Sequence, residues 1–359
     1  MKRVTNSISF SVIIFLISVL TLSAQDVSKI TSKYDFIPGE KVVFYDDFTS
    51  EAVGDFPVQW NTNSSGEIVT VANSAERWFQ MTKSGYFIPE AKTDFTDNFT
   101  VEFDIIPHNT EGNESMYGID FYLVSGVLTD PNEGGAIPGK AGVRISPSYD
   151  MVSWTNWSEK DEGYKDFGSA NYVFKTSERM HIALWVQKQR LRMYAGENKI
   201  LDLPRGLIAG YKHNIFRFQI SDEVNPFITN FRIAVGQPDM RNKLLSEGKL
   251  ISYGIQFDVN SDKIKPESYA TLKEIAQVLK ENPALKIKVV GHTDSDGDNT
   301  SNLDLSKRRG VAVKKELVET FTIESGRIET DGKGETEPIG PNDTTLNKSK
   351  NRRVEFIKM

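Results

Sequence analysis

The chain has 359 residues, 38% hydrophobic and 26% charged, which is enough for two domains with their own buried cores. The net charge of −6 comes without any basic stripe, so no nucleic-acid partner is expected. The absence of cysteine excludes disulfides, thiolate metal sites, a cysteine nucleophile and a lipid-modified N-terminal cysteine.

Lys2 and Arg3 precede an apolar run over residues 10–22, and small residues follow. Residues 1–24 therefore read as a secretory signal peptide, because the run is shorter than the ~20 residues a membrane span needs. An exported protein of the periplasm, associated with the outer membrane and cell wall, is the expectation.

Residues 41–237 are rich in alternating apolar and polar positions. Val101, Phe103 and Ile105 alternate with Glu102 and Asp104, and Ile182, Leu184 and Val186 follow the same period. Phe216, Phe218 and Ile220 do so again, with turn residues between the runs. The pattern predicts an antiparallel all-β domain with a long loop over residues 127–142. An eight-stranded outer-membrane barrel is the competing arrangement. Most runs are shorter than the 9–11 residues a barrel strand needs and are broken by charge, which favours a sandwich. The strand order resembles a laminin-G or concanavalin-type jelly roll. The resemblance rests on Phe44-Tyr45-Asp46-Asp47-Phe48 leading to Trp60, and on residues 179–186, 191–194 and 201–203. It implies a jelly-roll sandwich.

Residues 238–248 read as a linker, and 249–359 as a second domain. Ile251, Tyr253, Ile255 and Phe257 predict a strand, and Pro266 suits the first turn of a helix carrying Leu272, Ile275, Ala276 and Leu279. Residues 285–290 predict the next strand. A second helix is expected to open at Leu305-Ser306, with Arg309 in its first turn and Ser306 as its cap. Strands near 327–330 and 353–357 complete a β-α-β-α-β-β order, an α/β sandwich on a mixed sheet.

This second domain resembles the OmpA-like peptidoglycan-binding family, which includes peptidoglycan-associated lipoproteins and flagellar stator proteins. The matching residues are Ile255-Gln256-Phe257-Asp258, Gly291-His292-Thr293-Asp294, Asn302, Leu305-Ser306, Arg309, Gly334-Glu335 and Asn351-Arg352-Arg353-Val354-Glu355. The resemblance implies that Asp294 pairs the ammonium and Arg309 the carboxylate of diaminopimelate in the peptidoglycan stem peptide, a carboxylate that suits a bidentate guanidinium. Asn302 is expected to order the loop, Asp258 to lie beside the site, and Arg353 either to line it or to brace the sheet. Without the resemblance, a surface pair between Asp294 and Arg309 is the plainer reading. His292 is expected to be a hydrogen-bonding loop residue. Gly310 stands where the family usually has alanine, which weakens the helix by about 1 kcal/mol.

Three further motifs bear on function. The acidic loop 294–298 lacks the glycine position and the twelfth-place glutamate of an EF-hand, so no metal is assigned. Glu102-Phe103-Asp104-Ile105-Ile106 resembles the start of a laminarinase-type signature, but Ile106 and Pro107 fall where the second glutamate belongs. No catalytic residue is assigned, and Glu102 and Asp104 are expected on a solvated strand face. Trp154 and Trp157 are candidate sugar-stacking residues for a glycan partner, with an outer-membrane protein as the other partner expected for the β domain. No cofactor is expected.

Overall fold

The structure, a computed structural model, describes residues 34–359 except 72–75, 94, 109–114, 128–136, 162, 175–177 and 223. The signal peptide expected at 1–24 lies outside the described residues, as does most of the loop expected at 127–142.

The N-terminal half forms two antiparallel sheets. One runs in the order Asn198–Leu203, Arg190–Ala195, Met180–Gln187, Asn98–Ile106, Phe227–Val235, Arg77–Met81, Gly66–Thr70, with Lys41–Asp46 also paired to Phe227–Val235. The other runs Asp166–Asn171, Met151–Ser158, Ala141–Pro147, Ile119–Ser125, Ile215–Ile220, Gly85–Pro89, Trp60–Thr62. They share one core, so the alternative of a single closed barrel is set aside. Strand Asn98–Ile106 shows how the period works. Phe99, Val101, Phe103 and Ile105 enter that core, and Thr100, Glu102 and Asp104 turn to the opposite face. Phe103, Phe121, Phe216, Phe218 and Phe231 pack with ring centroids 4.8–6.5 Å apart. Each contributes about 1.5–3 kcal/mol by leaving water.

The C-terminal half is a four-stranded sheet in the order Lys249–Ser252, Val354–Lys358, Ile287–His292, Ile328–Gly334. Only the last pair is parallel, so the sheet is mixed as expected. Helices Tyr269–Glu281 and Asn299–Glu319 bury Leu272, Ile275, Leu279, Val313 and Leu317 against it.

Four local expectations change. Residues 240–245, read as linker, form helix Met240–Leu245, whose Met240 and Leu244 join the C-terminal core. The strand expected to reach Phe257 stops at Ser252, leaving only an isolated bridge from Phe257 to Ile264. Helix Asn299–Glu319 begins almost two turns before Leu305, capped by Asp298, whose side chain accepts from Ser301 N. Ser306 is therefore interior: it donates to Leu303 O and accepts from Gly334 N. A short helix, Thr345–Asn351, was not anticipated.

Helix Asn299–Glu319 lies unusually close to the sheet because glycines face it. A Cβ on Gly291 would stand 2.2 Å from Ser306 O, and one on Gly332 2.3 Å from Lys307 N. A Cβ on Gly310 would stand 2.9 Å from Asp331 O, so the glycine that costs helix propensity also permits this approach.

Candidate functional site

Asp294 follows strand Ile287–His292, held there by Thr293 N donating to Gly334 O and His292 N donating to Arg353 O. Its carboxylate accepts from Arg352 Nη1 at 2.6 Å and from Asp296 N at 3.1 Å. Arg309 reaches the same cleft from helix Asn299–Glu319. Its Nε donates to Ser261 O at 2.9 Å, and its guanidinium stacks on Phe257 at 4.8 Å. The plain alternative, an Asp294–Arg309 pair, does not form: among the described residues Arg309 has no carboxylate within ion-pair distance. Burial first, then the charge of Arg352, lowers the Arg309 pKa to about 10, which still leaves it charged at neutral pH.

Asn302 orders the loop as expected, its Nδ2 donating to Asp296 O and to Glu335 Oε2. The acidic loop spends its charge locally. Asp296 pairs Lys348, and Asp298 caps the helix. Asp258 lines the cleft and pairs Lys263 at 3.3 Å. Arg353 is a brace: its side chain is 2% exposed, pairs Glu355 at 2.8 Å and donates to Glu337 O. His292 departs from expectation. It ends a strand and is buried, and its Nε2 lies 3.6 Å from Glu355 Oε2, just beyond hydrogen-bond distance.

Arg352 was missed by sequence reasoning. It bridges Asp294 to Asp47 of the β domain at 3.1 Å and lies over the Tyr45 ring. Burial opposes its charge, but Tyr45, Asp47 and Asp294 outweigh that and raise its pKa. The motif Asn351-Arg352-Arg353 was visible, but which arginine pairs Asp294 was not.

The site is therefore a cleft at the junction of two domains, about 770 Å³ in volume. Its far wall is the outer face of the first β sheet. Glu102 and Asp104, expected in solvent, are 1% and 3% exposed because the C-terminal domain covers that face. Arg232 pairs Glu102 at 2.6 Å and donates to Tyr253 O across the junction. His181, opposite Asp104 in the strand register, binds it through Nδ1 at 2.8 Å, and Arg179 pairs the same carboxylate. Burial opposes the His181 charge, but Asp104 and Glu102 outweigh it and raise the pKa to about 10.

The two tryptophan candidates differ in their reach to the surface. Trp157 is fully buried, its indole N–H donating to Pro138 O. Trp154 is half-buried against the sandwich core.

A chain with this mixed sheet, these two helices and this opposed charge pair carries an OmpA-family domain at its C-terminus: the OmpA family model matches residues 256–352. Over 105 residues the chain is 39% identical to outer membrane porin F of Pseudomonas aeruginosa, covering 29% of this chain and 30% of that protein. Over 102 residues it is 41% identical to the probable lipoprotein YiaD of Escherichia coli, covering 28% and 46%. The chain thus spans about a third to a half of the length of these curated relatives. Among solved structures, it matches the peptidoglycan-associated lipoprotein from Burkholderia pseudomallei at 25% identity, over 34% of this chain and 100% of that one, with a TM-score of 0.29.

Proposed function

We propose that this protein is a non-catalytic component of the cell envelope that holds peptidoglycan noncovalently through the diaminopimelate of the stem peptide. The observation that carries the reading is the cleft's opposed pair. Arg309 is charged, partly desolvated and without a carboxylate partner among the described residues, so it can take the ligand carboxylate in a bidentate fork. Asp294 stands in the same cleft to take the ammonium, exchanging with the Arg352 cation. The OmpA-family match and the outer-membrane names of the relatives support an envelope location at the outer membrane and cell wall, on the periplasmic side.

No hydrolysis is assigned to the β domain. Glu102 and Asp104 are consumed by Arg232, His181 and Arg179, and Ile106 and Pro107 offer no second acid. The two-sheet antiparallel architecture supports a jelly roll of the laminin-G or concanavalin type. Its remaining role is attachment to a glycan or an envelope protein. The edge strand Asp166–Asn171 with exposed Phe167, and the stacked Tyr117–Tyr149 pair, offer apolar surface for it. Co-sedimentation with purified sacculi tests the wall-binding claim, using wild type, Asp294→Ala and Arg309→Ala.

A further inference from the structure

The cleft is larger than a diaminopimelate headgroup requires. At about 770 Å³ it falls in the range of sites that enclose a drug-sized ligand. Asp294 and Arg309 occupy one part of its lining, and the β-sheet face supplies another.

That second wall is built from buried charges, which are costly to keep unless fully paired. Most are paired. Arg232 with Glu102, and Arg179 with Asp104, spend their charge on each other. Two cations at the junction do not spend all their donors. The His181 side chain is 10% exposed, its Nδ1 is committed to Asp104, and its Nε2 is buried with no hydrogen-bond partner among the described residues. Glu102 Oε2 lies 3.6 Å from that nitrogen, too far for a hydrogen bond. Lys265 comes from the C-terminal domain. Its Nζ is 4.0 Å from Asp104 Oδ2 and 3.9 Å from Glu267 Oε1, again beyond hydrogen-bond distance. His181 and Lys265 thus flank the Asp104 carboxylate from opposite domains and both line the cleft; each lies in ion-pair range of two carboxylates, but His181 Nε2 and Lys265 Nζ stand beyond hydrogen-bond distance of them.

We infer that the β domain completes the ligand site: His181 and Lys265 receive a second carboxylate of the same stem peptide, that of the glutamyl residue next to diaminopimelate. The inference rests on the diaminopimelate reading of Asp294 and Arg309. It makes the β domain a specificity element for the wall peptide, in addition to any outside partner. A donor pair aimed at a carboxylate rejects the isosteric amide, because an amide brings no charge and presents its own N–H groups to one face.

The test is a calorimetric titration of the full chain with two synthetic tripeptides. One is L-alanyl-γ-D-glutamyl-meso-diaminopimelate; the other is the same peptide with the glutamyl α-carboxylate amidated. Wild type is expected to prefer the acid by about tenfold. In His181→Gln and in Lys265→Met that preference is expected to fall to within about twofold. The two variants sit on different domains, so misfolding of one, seen by circular dichroism, leaves the other to decide. Equal binding of acid and amide by wild type, or a preference kept in the folded variants, overturns the inference and leaves the diaminopimelate site standing. Loss of both peptides in Asp294→Ala and Arg309→Ala marks that site as the anchor. Retention of both peptides there, or failure of wild type to bind either, refutes the underlying reading.

Discussion

Replacing Gly291 by alanine puts a methyl group where the fold has none to spare. The new Cβ would stand 2.2 Å from Ser306 O and 3.0 Å from Ser306 C. Both neighbours are backbone in mid-helix, so no side-chain rotation relieves the contact. Restoring ordinary van der Waals separation requires helix Asn299–Glu319 to retreat by roughly 1 Å, at a stability cost of about 1–3 kcal/mol. The same helix carries Arg309, and the strand containing Gly291 leads directly to Asp294. Retreat therefore separates the two halves of the proposed grip, and binding sites lose function when their geometry slips by more than about 0.5 Å. The expected outcome is a lower melting temperature and, at a temperature where the variant is still folded, at least about tenfold weaker binding of meso-diaminopimelate, which is about 1.4 kcal/mol. Thermal denaturation and calorimetric titration measure the two effects separately. Wild-type stability would refute the close-packing argument. A destabilised variant with wild-type affinity would refute the link between packing and grip.

Two further outcomes follow from side chains that do not line the cleft. Burial is the main reason the Asp46 carboxyl is raised to about 7, with hydrogen bonds from Phe48 N and Trp60 Nε1 opposing the shift. Because the folded-state value lies above the unfolded one of about 4, the folded chain binds more protons between them, and this group's contribution to stability falls as pH rises from about 4 to about 7, by up to about 4 kcal/mol. Asp46→Asn should remove that slope from the denaturant-midpoint profile, and an unchanged slope would contradict the assignment. Arg327 donates to Leu279 O, Asn282 O and Leu285 O, closing the C-terminal end of helix Tyr269–Glu281. Arg327→Ala should cost about 2–4 kcal/mol in urea denaturation while the folded protein keeps its ligand affinity; a loss below 1 kcal/mol would contradict that role.

What the sequence showed and hid follows from the range of the interactions. The C-terminal mixed sheet and the candidate pair were legible because Asp294 and Arg309 lie within one local strand-loop-helix run. The start of helix Asn299–Glu319 was not, because its first turn is polar and its cap, Asp298, sits inside an acidic loop with no apolar period to mark it. Arg352 was hidden for another reason: its partner Asp47 is 305 residues away in the chain. Strand alternation placed Glu102 and Asp104 on the face away from the sandwich core, which is correct, but alternation cannot distinguish a face covered by water from one covered by a second domain. Trp157 misled similarly. It leaves the main core, yet the outer face of its sheet has a small apolar cluster with Ile88, Tyr122, Val124 and Ile215 that absorbs it.

The central claim is the noncovalent grip on the wall, and co-sedimentation with purified sacculi tests it most directly. Wild type should pellet, and meso-diaminopimelate in solution should release it. An equal concentration of Nα-acetyl-L-lysine amide, which carries a side-chain ammonium and no carboxylate, should not. Asp294→Ala and Arg309→Ala should stay in the supernatant while remaining folded by circular dichroism. Pelleting of both folded variants to the wild-type extent, or equal release by the blocked lysine, would contradict the account.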